Sequence, residues 1–115
     1  MFDVNPIIFN RWVPTTLTLT SEVTLYTAPN PWTNVHKVHV SNSSASIVTV
    51  TVSVYDLAGT ALYHWCSVKD VPANDCIDME MDFQLEEGDE IRATAGAAND
   101  LDVIVVLSEG RGRSG

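Results

Sequence analysis

From Val48 to Val54 the chain alternates valine with threonine or serine without a slip. A period of two puts the valines on one face of an extended strand and the hydroxyls on the other, one face for a core and one for water. The same pattern recurs. Leu17 and Leu19 sit between threonines in 15–20, and Val23 and Leu25 share a face in 22–27. Ile77, Met79, Met81 and Phe83 alternate with Asp78, Glu80 and Asp82, and Ile91, Ala93 and Ala95 make a shorter strand. Further strands are predicted over 35–40, 46–55, 61–66 and 101–108. No segment carries a period of 3.6. About eight strands at this spacing predict an all-β chain, an antiparallel β-sandwich of jelly-roll-like character.

Loops are marked by their turn residues: the Pro- and Asn-rich 28–34, Asn42-Ser43-Ser44, 56–60, 69–75, 84–89 with Gly88, and 97–100. Residues 1–14 read as an extended N-terminal arm. Its apolar residues Ile7, Ile8, Phe9, Trp12 and Val13 lie between Pro6 and Pro14 without clean alternation. The arm either packs across its own sheet or reaches a neighbour. The sandwich is expected over 15–109, and the Gly- and Arg-rich 110–115 is expected to be a mobile tail.

Two strands depart from the rule that one face of an antiparallel sheet meets water. Tyr63 and Trp65 oppose Leu62, His64 and Cys66, and Ile104 and Val106 oppose Leu101, Val103, Val105 and Leu107. Strands apolar on both sides predict contact between subunits, a homo-oligomer such as a dimer or trimer. The candidate interface residues are Ile7, Ile8, Phe9, Trp12, Trp32, Tyr63 and Trp65. Trp32, in its Pro-rich loop, is either an exposed anchor or a cap on the open end of the sandwich.

A length of 115 residues suits one domain, and six basic against fifteen acidic residues argue against a nucleic-acid partner. No apolar run spans a bilayer, so no membrane partner is expected. The first residues lack a basic n-region and an apolar h-region, so the protein is expected to stay in the cytoplasm or join something assembled there. Cys66 and Cys76 are accordingly expected to be reduced, with a bridge across 67–75 as the alternative.

Little in the chain points to catalysis. His36 and His39, three apart on a strand, are expected on opposite faces, where they cannot share an ion. No HExxH or paired-cysteine zinc spacing occurs. Asp78, Glu80 and Asp82 form an acidic stripe, but successive outward carboxylates stand roughly 7 Å apart on a strand, too far for one small cation without help from a loop. The stripe reads as a solvated or partner-facing surface, with calcium as the alternative. No GxSxG elbow and no phosphate-binding glycine loop is present. No cofactor is expected, and no enzymatic activity.

Thr24-Leu25-Tyr26-Thr27-Ala28-Pro29, then Val38-His39-Val40-Ser41-Asn42-Ser43-Ser44-Ala45, then the Thr/Val strand, Leu85-Glu86-Glu87-Gly88-Asp89-Glu90-Ile91 and Ala93-Thr94-Ala95-Gly96-Ala97-Ala98-Asn99 follow one another in order. Over roughly 22–108 this series resembles the small β-sandwich virion structural proteins of tailed bacteriophages. The resemblance implies a non-enzymatic virion component made in the bacterial host cytoplasm. It implies a capsid decoration (cement) protein bound to the major capsid protein, or a tail or neck protein bound to other virion proteins. A carbohydrate- or receptor-binding module is the competing expectation, with a sugar stacked on Trp32 or Trp65.

Overall fold

The computed structural model describes residues 7–111. Eight strands run in order: β1 (Ile7–Thr16), β2 (Val23–Thr27), β3 (Thr33–Asn42), β4 (Val48–Asp56), β5 (Ala61–Val71), β6 (Cys76–Leu85), β7 (Glu90–Ala95) and β8 (Leu101–Arg111). They form two four-stranded sheets, ordered β1-β8-β3-β6 and β2-β7-β4-β5, and every pairing is antiparallel. β1 pairs with β8, β2 with β7, β3 with β6 and β4 with β5, as in one long folded ribbon. Wrapping that ribbon adds the β3–β8 and β4–β7 pairings and splits it into two sheets. The result is the antiparallel β-sandwich that the alternation predicts.

The alternating valines do what their period requires. Val50 and Val52 of β4, Val38 and Val40 of β3, Val103, Val105 and Leu107 of β8 and Ile91 of β7 are all fully buried between the sheets. Polar groups inside are partnered. Buried Asn42 donates from Nδ2 to the carbonyls of Ser46 and Val71, at 2.8 and 3.1 Å, and accepts from the Ser44 amide at 2.9 Å. It thereby ties the β3–β4 turn to the end of β5. Among the described residues no buried side-chain nitrogen or oxygen lacks a partner, as close packing of polar groups requires.

Several boundaries differ from the sequence reading. Residues 7–14 are the first part of β1, an edge strand paired rung for rung with β8 from Ile7↔Arg111 to Thr16↔Asp102. The segment read as an arm thus lies along its own sheet, and Pro14 sits at an edge, where a missing N–H is tolerated. Residues 1–6 of that arm lie outside the described residues. Leu17 and Leu19 do not extend a strand: β1 ends at Thr16, Leu17 just beyond it is buried and bonded to Leu101, and the chain bends at 19–21, leaving Leu19 exposed. β5 runs on through Lys69 and Asp70 to Val71, which is fully buried, so the expected 69–75 loop shrinks to 72–75. Two register shifts against β4 absorb its extra residues. Gly110 and Arg111 belong to β8 rather than to a mobile tail. Gly110 is held by its amide on the Trp32 carbonyl, at 2.7 Å, and by Asn30 Nδ2 on its carbonyl, at 2.6 Å. The rest of the expected tail, 112–115, lies outside the described residues.

Candidate interaction face

The two outer faces of the sandwich differ in chemistry. On the β2-β7-β4-β5 sheet the outward residues of β2, β4 and β7 are mostly hydroxyls and charges that pair with one another, while Leu62 of β5, opposite Tyr55, is 38% exposed. Arg92 donates from Nε to Glu90 at 2.9 Å and from Nη1 to Glu22 at 3.1 Å, and its guanidinium lies 4.2 Å above the centre of the Tyr55 ring. Thr24 Oγ1 donates to Glu90 at 2.9 Å. The Arg92 and Thr24 hydrogen bonds hold the Glu90 carboxyl below its ordinary range. Ser53 and His64 pair at 2.7 Å.

The β1-β8-β3-β6 sheet is divided. Because core-facing Val103, Val105 and Leu107 alternate with Ile104 and Val106, the latter two are aimed outward and are half-buried. The β1–β8 register sets Trp12 beside Val106 and Pro14 beside Ile104. Trp12 is 65% exposed and Ile8, on the same face, 56%. Farther across, Lys37, His39, Asp78 and Glu80 make the other half polar, with Lys37 opposite Glu80 and His39 opposite Asp78. His39 Nδ1 donates to Asp78 at 2.6 Å, and Lys37 Nζ stands 3.6 Å from the same oxygen. The His39 bond, followed by the Lys37 charge, holds the Asp78 carboxyl below its ordinary range. An apolar strip is thus rimmed by an acidic edge strand.

A bulge in β3 between Val35 and Lys37 corrects one expectation. It turns His36 to the same outer face as His39, where His36 Nε2 contacts Ser108 Oγ at 2.6 Å. Ser108 Oγ gives its proton to Asn10 Oδ1 at 2.9 Å, so His36 is the donor. This chain of bonds runs across the face from β3 through β8 to β1. A bulge offsets the two-residue period, and nothing in the local sequence announced it. Among the described residues no group of three potential ligands gathers around a cation position. Asp82, the last of the acidic stripe, sits where β6 itself slips register, with φ near 53°.

The sequence-predicted interface residues divide into two groups. Ile8 and Trp32 line one open groove of about 350 Å³ with Thr33, Asn34, Gln84 and Ser108, and Trp12 lies along the same face. Phe9 is half exposed on the other side of β1. The backbone of Ile7 pairs with Arg111. Tyr63 and Trp65 lie at the opposite edge of the sandwich, on β5. Trp65 stacks on Phe83 of β6, with ring centres 5.1 Å apart, and donates from Nε1 to the Glu80 carbonyl at 3.2 Å. Its apolar flank therefore closes the β5–β6 side of the sandwich, while Tyr63 remains 62% exposed. Pro14, Ile104 and Val106 were not among the predicted residues. The double-sided apolar pattern of β8 was their signal. Cys66 and Cys76 are both free thiols, and Cys66 Sγ lies 3.3 Å from Met79 Sδ.

No protein-family model matches the chain, and no curated protein matches it in sequence. Solved structures share its fold. A chain in the acidic stable capsid of Helicobacter pylori bacteriophage KHP30 matches with a TM-score of 0.56 and 14% identity, over 94% of this chain and 89% of that one. A chain of the Bacillus endospore appendages, a family of disulfide-linked pili, matches at 0.59 and 11%, over 92% and 90%. A chain of the infectious bursal disease virus Gx strain matches at 0.56 and 8%, over 95% of this chain. This chain spans about a third of that viral protein, 33% of its length. The class is therefore an antiparallel β-sandwich, a fold shared with chains of a phage capsid, a virus and endospore pili.

Proposed function

We propose that this protein is a non-enzymatic virion structural protein of a bacteriophage, a capsid decoration (cement) protein that clamps neighbouring major capsid subunits. One observation carries the reading. The β1-β8-β3-β6 face carries a contiguous apolar strip of Trp12, Pro14, Ile104 and Val106, in which Trp12 is 65% exposed and Ile104 and Val106 are half-buried. Burying such a strip on a shell stabilises the contact by about 25 cal/mol per Å² of apolar surface. Repetition over a symmetric lattice multiplies the effect. The fold shared with a chain of a phage capsid and a chain of infectious bursal disease virus supports the same reading. The acidic rim of Asp78 and Glu80 favours basic groups on the capsid surface beside the strip.

The test is co-sedimentation with capsids of the phage concerned. Ile104→Lys and Val106→Lys place charge in the strip without touching the core, and Thr94→Lys on the polar outer face is the control. Loss of shell binding in the first two alone supports the reading. Binding unchanged in all three removes it.

Trp32 favours a second reading, a glycan-binding module. Its ring is 38% exposed in a groove that also presents Asn34, Gln84 and Ser108, an aromatic face beside polar groups. A glycan array probed with the protein and with Trp32→Ala decides it, and silence of the intact chain discards it.

A further inference from the structure

A β-sandwich of two open sheets has four edges, and three of these are defended. β2 is only five residues long and slips register between Thr24 and Tyr26. β5 carries two register shifts and a left-handed residue, Val68, with φ near 50°. β6 presents Asp78, Glu80 and Asp82, and it too is offset by a bulge. Shortness, bulges and charge are the devices by which edge strands avoid pairing with other chains. β1 is the least defended, its one proline, Pro14, lying near its C-terminal end. It is ten residues long and holds an unbroken register against β8. It has no acidic residue, and its single charge, Arg11, is taken up by Glu109 at 3.0 Å.

We infer that the outer edge of β1 is completed by β1 of a second copy, antiparallel, joining two sheets into one of eight strands. The inference deepens the structural role proposed above by naming a partner for one edge. Charge selects the partner. The chain has a net charge of −9, so two copies repel over most of their surface. The acid-free β1 is where they approach at least cost. A twofold axis makes the contact self-complementary and closes it at a dimer.

Sequence selects the register. With the axis at Asn10, Ile8 lies opposite Trp12 of the second copy and Phe9 opposite Arg11. The pairs are apolar on the outer face and aromatic–cationic on the inner one. Pro14, which has no N–H to give, falls outside the stretch Ile8–Trp12. An axis at Trp12 would set Pro14 opposite Asn10, inside the ladder. Pairing at Asn10 also joins the two apolar strips into one twofold platform, suited to spanning two capsid subunits.

The test is analytical ultracentrifugation of the full chain over a concentration series, joined to crosslinking. In a Cys66→Ser, Cys76→Ser background, Asn10→Cys places two thiols at the axis. Directly opposed residues of antiparallel strands have Cα atoms about 4.5–5.5 Å apart, within disulfide reach. Thr16→Cys, on the same strand and face, is held roughly 40 Å from its counterpart. A dimer that oxidises to a covalent pair through Asn10→Cys and not through Thr16→Cys supports the inference. So does conversion to monomer by Ile8→Lys with circular dichroism unchanged. A monomer at all concentrations, a trimer, or equal crosslinking at both positions overturns it. Shell binding by a monomer would overturn this inference and leave the decoration role standing. A crosslinked dimer indifferent to shells would do the reverse.

Discussion

The phenol of Tyr26 donates a hydrogen bond to Glu109 Oε2 at 2.5 Å, and Arg11 Nη1 reaches the same oxygen at 3.0 Å. Tyr26 belongs to β2 in one sheet, and Arg11 and Glu109 to β1 and β8 in the other, so one carboxylate fastens the two sheets along the β1–β2 side. Burial, and then the bond to Glu109, push the Tyr26 pKa up from 10.0 to about 12. A group whose pKa is raised in the folded state contributes stability in full below its unfolded pKa, and loses it as pH rises through the folded value. The protein is therefore expected to lose stability between about pH 10 and 12, by on the order of 3 kcal/mol. Tyr26→Phe should flatten that loss while lowering stability at pH 7 by about 1.5–3 kcal/mol, the usual worth of a hydrogen bond to a charged group. Urea unfolding at a series of alkaline pH values measures both, and an unchanged alkaline slope in Tyr26→Phe would show that another group titrates.

Asp89 performs a comparable task at the loop end. Its carboxylate accepts from the Leu57 amide at 3.1 Å and the Glu86 amide at 2.9 Å, and its backbone carbonyl accepts from Ala28 at 2.8 Å. Three connections, β2–β3, β4–β5 and β6–β7, meet at this residue. Asp89→Ala leaves two amides without their acceptor and is expected to cost about 1–3 kcal/mol. The accompanying rise in amide exchange should appear at Leu57 and Glu86 and leave the strand centres unaffected. Exchange that rises uniformly would mean global destabilisation instead.

The period of two along β8 can be tested directly. Leu107 is fully buried and its neighbour Val106 faces outward. Leu107→Ala should destabilise by about 2–5 kcal/mol, the range for truncating a core leucine. Val106→Ala should fall within about 1 kcal/mol, since little cavity opens at a half-buried outward position. Thermal unfolding of the two variants gives the comparison, and equal costs would place both faces of β8 in the core.

Strand identity was legible because alternation is local: Val48 to Val54 requires nothing beyond its own sequence to become β4. Pairing distant in sequence was less so. Residues 7–14 resembled an arm because Ile7, Ile8 and Phe9 break the alternation. They form β1 because β8, nearly a hundred residues away, supplies an unbroken ladder. β5 outran its predicted end for a similar reason: Val71 pairs with Val48 at the far end of β4. Bulges left no signature, so the shared face of His36 and His39 was hidden. The apolar face was half legible. The double-sided pattern of β8 announced Ile104 and Val106, but only the sheet order sets them beside Trp12 and Pro14 and separates Trp12 from Trp65.

On the polar half of that face, the state of Asp78 depends on His39. The His39 hydrogen bond is the largest influence lowering the Asp78 pKa, and the nearby Lys37 charge adds to it. A depressed carboxyl contributes stability above its unfolded pKa and loses it as pH falls through the lower folded value. His39→Ala should therefore move the Asp78 titration midpoint upward, toward the ordinary carboxylate value, with Lys37→Ala producing a smaller rise. Carboxyl-carbon NMR titration of Asp78 in the three proteins measures the shifts directly. Because both side chains are partly exposed, global stability at neutral pH should change little in either variant. A midpoint that moves more with Lys37→Ala than with His39→Ala would make simple charge, rather than the 2.6 Å bond, the cause.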